Sequence, residues 1–132
     1  MWTRRTFVIA AACALPQTAL AYRMQRFSPA VWNSLKDSDE VVILNFRARW
    51  SLTCQIKQEL LAEALVSNPD YARIKIIDVD WDTYGPSQMT QRLKVERRST
   101  LLVMKGRQEV ARIVNEPYAR RVRALLDTAL TA

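Results

Sequence analysis

Two near-continuous apolar runs constrain this chain more than any other feature: Val41-Val42-Ile43-Leu44-Asn45-Phe46 and Ile74-Lys75-Ile76-Ile77-Asp78-Val79. A strand with one wet face alternates apolar and polar residues, whereas a run of this kind marks a strand covered on both faces. Between them, from Ser51 to Val66, the pattern turns helical. Ile56, Leu60, Leu61, Ala64 and Leu65 fall on one helical face, and Asn68-Pro69-Asp70 ends the helix. A strand, a helix and a second strand allow a right-handed parallel crossover, so helices must cover the sheet from both sides.

The flanking segments extend this pattern. Ser28-Pro29 is an N-cap followed by proline at the first helical position, and predicts a helix to about Lys36. Gly85-Pro86-Ser87 breaks the chain before a short helix that ends near Leu93. Thr100–Met104 reads as a third strand, Gly106-Arg107 as a turn and Glu109–Val114 as a fourth strand, a hairpin arrangement. Asn115-Glu116-Pro117 opens the last helix, whose apolar face is expected to carry Tyr118, Val122, Leu125, Leu126, Ala129 and Leu130. The order α-β-α-β-α-β-β-α predicts an α/β domain built on a mixed four-stranded sheet with helices on both faces. No internal repeat, linker or low-complexity segment divides the chain.

Composition then excludes whole classes of chemistry. With no histidine, the chain has no imidazole for metal ligation, a Ser–His couple or acid–base work. Two cysteines cannot make a four-cysteine zinc site, so neither a metal nor a cofactor is expected. The net charge of +7 suits an acidic partner without naming one. Aromatic residues do not interleave with the basic clusters, which argues against nucleic acid, and Arg120, Arg121 and Arg123 read as the solvated face of the last helix.

The first residues read as an address. Arg4-Arg5 precede an apolar run from Phe7 to Leu15, Pro16-Gln17-Thr18 breaks it, and Ala19-Leu20-Ala21 ends it with small residues. A basic start, a short apolar centre and a small-x-small end make a signal peptide over residues 1–21, with cleavage after Ala21. Thr3-Arg4-Arg5-Thr6-Phe7 resembles the twin-arginine export motif; paired arginines also open general secretion signals, so both routes stay open. Residues 22–132 are then the mature domain, exported to the periplasm and expected to be a monomer without a membrane anchor. Cleavage removes Cys13 and leaves Cys54 as the only thiol, so no disulfide forms within the mature chain.

Val41 to Cys54, with Phe46-Arg47-Ala48-Arg49-Trp50 leading to Ser51-Leu52-Thr53-Cys54, resembles the strand and active-site turn of the thioredoxin family. There an apolar strand runs into Phe-x-Ala-x-Trp and then Cys-x-x-Cys at the start of a helix. Arg98-Ser99-Thr100-Leu101-Leu102-Val103-Met104-Lys105-Gly106 is similar to the family's Ile-Pro-Thr strand and turn. Asp78-Val79-Asp80-Trp81-Asp82 is similar to a stretch in exported thioredoxin-like reductases of bacterial envelopes. The resemblance covers about residues 28–131 and implies a thioredoxin-like fold.

Three positions depart from the family. Ser51 stands at the nucleophilic cysteine, Asn45 at the buried proton-transferring aspartate and Ser99 at the cis-proline. A non-proline cis peptide costs about 3 kcal/mol, so a trans bond is expected before Ser99. A serine hydroxyl without a base cannot attack a disulfide, and one thiol cannot resolve its own mixed disulfide. The resemblance therefore implies a protein impaired in dithiol exchange. It is expected to act by binding an envelope client or redox partner at the former active-site surface, through Trp50, Arg49, Arg97 and Arg98. The alternative is a monothiol-type thiol-disulfide oxidoreductase that uses Cys54. A place in the first helical turn, close in sequence to Arg47, Arg49 and Lys57, favours a Cys54 thiolate, while a small buried hydrophobe is the plainer reading. Ser51 reads as a helix N-cap, Asn45 as a satisfied polar residue near the core, and Trp50 as either a binding surface or rim packing.

Overall fold

The computed structural model describes residues 24–132, so the signal peptide expected over residues 1–21 lies outside the described residues. In chain order the elements are β1 (Met24–Arg26), α1 (Pro29–Leu35), β2 (Val41–Arg47), α2 (Leu52–Ser67), a short 3-10 helix (Pro69–Arg73) and β3 (Lys75–Asp80). They continue with α3 (Trp81–Tyr84), α4 (Gln88–Arg92), β4 (Thr100–Lys105), β5 (Gln108–Val114) and α5 (Ala119–Thr131). One mixed sheet runs in the order β1-β3-β2-β4-β5. Strands β1, β3 and β2 are parallel, and β4 is antiparallel to both β2 and β5.

The sheet therefore has five strands where the sequence predicts four. The added strand, β1, is three residues long and pairs Met24 with Ile76 and Arg26 with Asp78. Met24-Gln25-Arg26 is too short and too polar to show a strand period. Its place is set by backbone bonding along the β3 edge, and the Phe27 N–H continues that bonding to the Asp78 carbonyl at 2.8 Å.

The alternation of β2 divides the core into two layers. Ile43 packs with Leu61, Leu65, Leu101, Val103, Val122 and Leu126 beneath α2 and α5. Val42, Leu44 and Phe46 pack on the opposite side with Phe27, Ile77, Leu102 and Met104, closed over by residues of α1 and α4. Each fully buried aliphatic side chain of this kind contributes roughly 1.5–3 kcal/mol. Among the described residues no helix is long and apolar enough to cross a membrane.

Two helical faces differ from expectation. The buried stripe of α2 is Cys54, Lys57, Leu61, Ala64 and Leu65, while Ile56 and Leu60 are only partly covered. The stripe keeps a three-and-four spacing from Cys54 onward, and a lysine takes a place where apolarity alone selects Ile56. Tyr118 is exposed and stands before α5 as its extended N-cap residue, so it does not join the core face of Val122, Leu125, Leu126 and Ala129.

Gly106 closes the β4–β5 hairpin at φ +59°, and a Cβ there would lie 2.7 Å from the Ser38 carbonyl oxygen. Left-handed backbone costs a residue with a Cβ about 1–2 kcal/mol before any clash. Gly106→Ala is expected to destabilise the domain by about 2 kcal/mol, read as a lower urea midpoint with an unchanged slope. An unchanged midpoint would mean that the turn has room to move away from Ser38.

Candidate functional site

The site forms where β2 ends and α2 begins. After Arg47 the chain buries Ala48, turns outward through Arg49 and Trp50, and re-enters at Ser51. Ser51 is the N-cap of α2: its backbone is extended and its Oγ accepts the Cys54 N–H at 3.3 Å. Placing Cys54 in the first helical turn leaves its thiol only 2% exposed, with Sγ accepting the Ala48 N–H at 3.4 Å. Burial is the largest single influence on that thiol and pushes it up. The Ser51 hydroxyl, the Ala48 N–H, the Ser99 hydroxyl and the charge of Lys57 together outweigh it, and the thiol titrates below its ordinary value.

Ser99 closes the site from the loop before β4. The peptide bond before it is trans, and its backbone sits at φ +64°, in the left-handed region. This conformation costs a non-glycine residue roughly 1–2 kcal/mol. Two backbone bonds hold it: Ser99 N–H to the Phe46 carbonyl at 2.8 Å, and Asn115 N–H to the Ser99 carbonyl at 2.9 Å. The buried Ser99 Oγ satisfies no other polar group, and its nearness to Cys54 favours the thiolate.

Asn45 lies one layer below. Register places it opposite Asp78 on β3 and Leu101 on β4. Its Nδ2 donates to Asp78 Oδ1 at 3.0 Å and to Gln58 Oε1 at 3.3 Å, while its own buried Oδ1 accepts nothing. Asp78 also receives a hydrogen bond from Arg47 at 2.9 Å. Burial pushes the Asp78 carboxyl up, and Arg47 and Asn45 only partly offset it.

On the outer surface Trp50 is 61% exposed, and Leu52 beside it is exposed as well. The indole N–H of Trp50 donates to Asp82 Oδ1 at 3.1 Å, and the Arg98 guanidinium lies over the ring at 4.7 Å from its centre. The basic residues expected to bind a partner are thus split. Arg98 joins Trp50, and Arg49 lines a cleft of about 290 Å³ with Arg26, Arg47, Asp78 and Asp80. Arg97 is exposed, and its carbonyl accepts from the Thr100 hydroxyl at 2.7 Å.

The structure brings together Ser51, Cys54 and Ser99 as one buried group, and Trp50 with Arg98 as one exposed group. Sequence reasoning missed Asp78 and Asp82 as members of the site, and placed Lys57 near Cys54 without its burial. Lys57 is 1% exposed and its Nζ has no hydrogen-bond partner. Its three-residue spacing from Cys54 was the available signal, because that spacing puts both on one helical face. Among the described residues no cluster of histidine, cysteine, aspartate or glutamate could hold a metal ion.

With this geometry in hand, three solved structures are informative. A thioredoxin-like protein of Edwardsiella tarda, Trxlp, is 24% identical with a TM-score of 0.65, over 80% of this chain and 96% of its own. The Malassezia sympodialis thioredoxin Mala s 13 is 20% identical with a TM-score of 0.67, over 81% and 93% of the two chains. Plasmodium falciparum thioredoxin is 22% identical with a TM-score of 0.64, over 78% and 96%. No protein-family model and no curated protein sequence matches the chain. At these identities the likeness establishes the fold: the domain is thioredoxin-like, and nearly the whole length of each neighbour is represented in it.

Burial of Lys57 has a measurable consequence. Burial is the main cause that lowers its ammonium from 10.5 to about 8, and the neighbouring Cys54 acts the other way. Between pH 8 and 10.5 the unfolded chain therefore binds more protons at this residue than the folded one, and stability rises with pH. Lys57→Met is expected to be more stable than the parent below this window. Its advantage should shrink by about 3 kcal/mol across the window in urea denaturation at a series of pH values. A difference that is flat with pH would place the Lys57 amine in water.

Proposed function

We propose that this is an exported, periplasmic thioredoxin-like protein that binds another envelope protein through the surface around Trp50 and has lost dithiol exchange. The observation that carries the reading is the contrast at the site. The thiol of Cys54 is buried under Ser51, while Trp50 and Leu52 are held out to solvent with Arg98 stacked on the indole. Aromatic and arginine side chains of this kind are common anchors of protein interfaces. Ser51 is engaged as a helix cap, and its hydroxyl is far too weakly acidic to stand in for a thiolate nucleophile. Dithiol exchange needs a second thiol to resolve the mixed disulfide, and residues 22–132 contain one cysteine.

Two measurements test this pairing of lost chemistry and kept binding. Insulin reduction by the purified protein with dithiothreitol should match that of Cys54→Ala. Crosslinking in the envelope should recover a protein with the parent and with Cys54→Ala, and lose it with Trp50→Ala. Reduction well above the Cys54→Ala rate would favour the second reading, a monothiol oxidoreductase. One observation supports that reading: the Cys54 thiol is held below its ordinary titration range by Ser51, Ala48, Ser99 and Lys57 despite its burial.

Export rests on the arginine pair, the apolar run and Ala19-Leu20-Ala21. Mass spectrometry of envelope protein should find Tyr22 as the first residue. Replacing Arg4 and Arg5 together by lysine should block export if the twin-arginine route is used, and leave it intact if the general route is used. A cytoplasmic product that retains Met1 would overturn the assignment.

A further inference from the structure

The buried groups around Cys54 carry an imbalance that the binding reading leaves unused. Lys57 lies three residues beyond Cys54 on the inward face of α2, and its Nζ is enclosed without any hydrogen-bond acceptor. The Ser99 hydroxyl, also enclosed, has no partner besides its approach to the Cys54 sulfur. An ammonium removed from water needs a compensating charge, or it gives up its proton. The other charged groups around it are engaged or turned away. On β3, Asp78 is held by Arg47 of β2 and by Asn45. On the loop before β4, Arg98 is stacked on Trp50. On α5, Asp127 accepts from Tyr71, which lies beyond the far end of α2. Glu59 and Glu63 of α2 are exposed. Among the described residues, the group whose charge acts on the Lys57 amine is the sulfur of Cys54.

We propose that Lys57 is the positioning residue that holds Cys54 as a thiolate, in a net-neutral thiolate–ammonium pair. The first proton lost by the pair leaves Sγ for solvent, and Nζ keeps all three of its own. No electron is transferred and no other bond changes. The Ser99 hydroxyl, free of other partners, turns its proton toward the charged sulfur. The arrangement supplies what Asn45 cannot, because an amide neither takes up nor releases a proton at accessible pH. The inference deepens the reading of Cys54 as a reactive thiol and is independent of binding through Trp50.

The test is a paired titration of the full chain, which does not require a reagent to reach the buried sulfur. Ultraviolet thiolate absorbance, taken as the difference from Cys54→Ala, reports the sulfur. The Lys57 side-chain carbon NMR shift, assigned by its loss in Lys57→Met, reports the amine. In the parent protein the thiolate signal should grow while Lys57 still reads as an ammonium. In Lys57→Met the thiolate population at neutral pH should fall about tenfold, a shift of about one pH unit. In Cys54→Ser, Lys57 should lose its proton at lower pH than in the parent. Loss of the Lys57 proton before any thiolate forms would overturn the proposal. So would a thiolate curve unchanged in Lys57→Met. Should that variant not fold, the order of the two signals in the parent and the Cys54→Ser titration decide the matter. Failure of partner capture by the Trp50 surface would leave all these curves in place, so the two readings fail separately.

Discussion

Strand β2 is hydrogen-bonded along both edges and covered on both faces, and its register is the constraint from which the site follows. Ile43 enters one core layer while Val42, Leu44 and Phe46 enter the other. A slip by one residue would exchange the two sets and bury the wrong side chains along the whole strand. That register puts Asn45 beneath α2, opposite Asp78, and delivers the chain at Arg47 to the turn that starts the helix. The bond from Ser99 N–H to the Phe46 carbonyl then ties the far loop to the last buried residue of the same strand.

Around this strand end the protein separates two environments within a few residues. Trp50 and Leu52 face water, where an aromatic ring with a stacked guanidinium is available for contact. Ser51 and Cys54, between and behind them, are sealed off. In that low-dielectric space hydrogen bonds and charges act more strongly than at the surface. This explains how three hydroxyl and amide groups and one ammonium overcome the tendency of burial to keep Cys54 protonated. The same dryness is costly to Lys57, a polar residue in the contact stripe of a helix whose other members are apolar.

The elements that were legible in the sequence are those with a repeated pattern. The runs at β2 and β3, the three-and-four spacing of α2, and the Gly106 turn between β4 and β5 all state their structure locally. Ser28 and Ser51 announce helix starts through their side-chain oxygens, which accept from Val31 and Cys54. What stayed hidden depends on tertiary neighbours. Strand β1 exists because β3 offers it an edge, and three residues carry no period. Tyr118 has the character of a core residue, yet the chain enters α5 one residue later and leaves it outside. Lys57 was visible as a basic neighbour of Cys54, but its burial was not, since a four-carbon stem can fill an apolar stripe that the ammonium alone would avoid. Asp78 was visible as part of an acidic stretch, but its partners Asn45 and Arg47 come from the neighbouring strand and meet it only through sheet register.

Ser99 bears on which residues its loop can accept. Proline fixes φ near −65° and has no N–H. The backbone at this position stands at φ +64°, and its N–H is the donor that reaches Phe46. Proline is therefore excluded here twice, by torsion and by a lost bond, although its ring would suit the family pattern at this place. A single codon change cannot reinstate it. The loop from Arg97 to Thr100 would have to be threaded anew before proline became tolerable. A cysteine introduced at position 51 would therefore face a loop shaped around serine. In this sense the serine acts as a ratchet: each neighbouring residue that adapts to the left-handed loop makes proline at position 99 harder to accommodate.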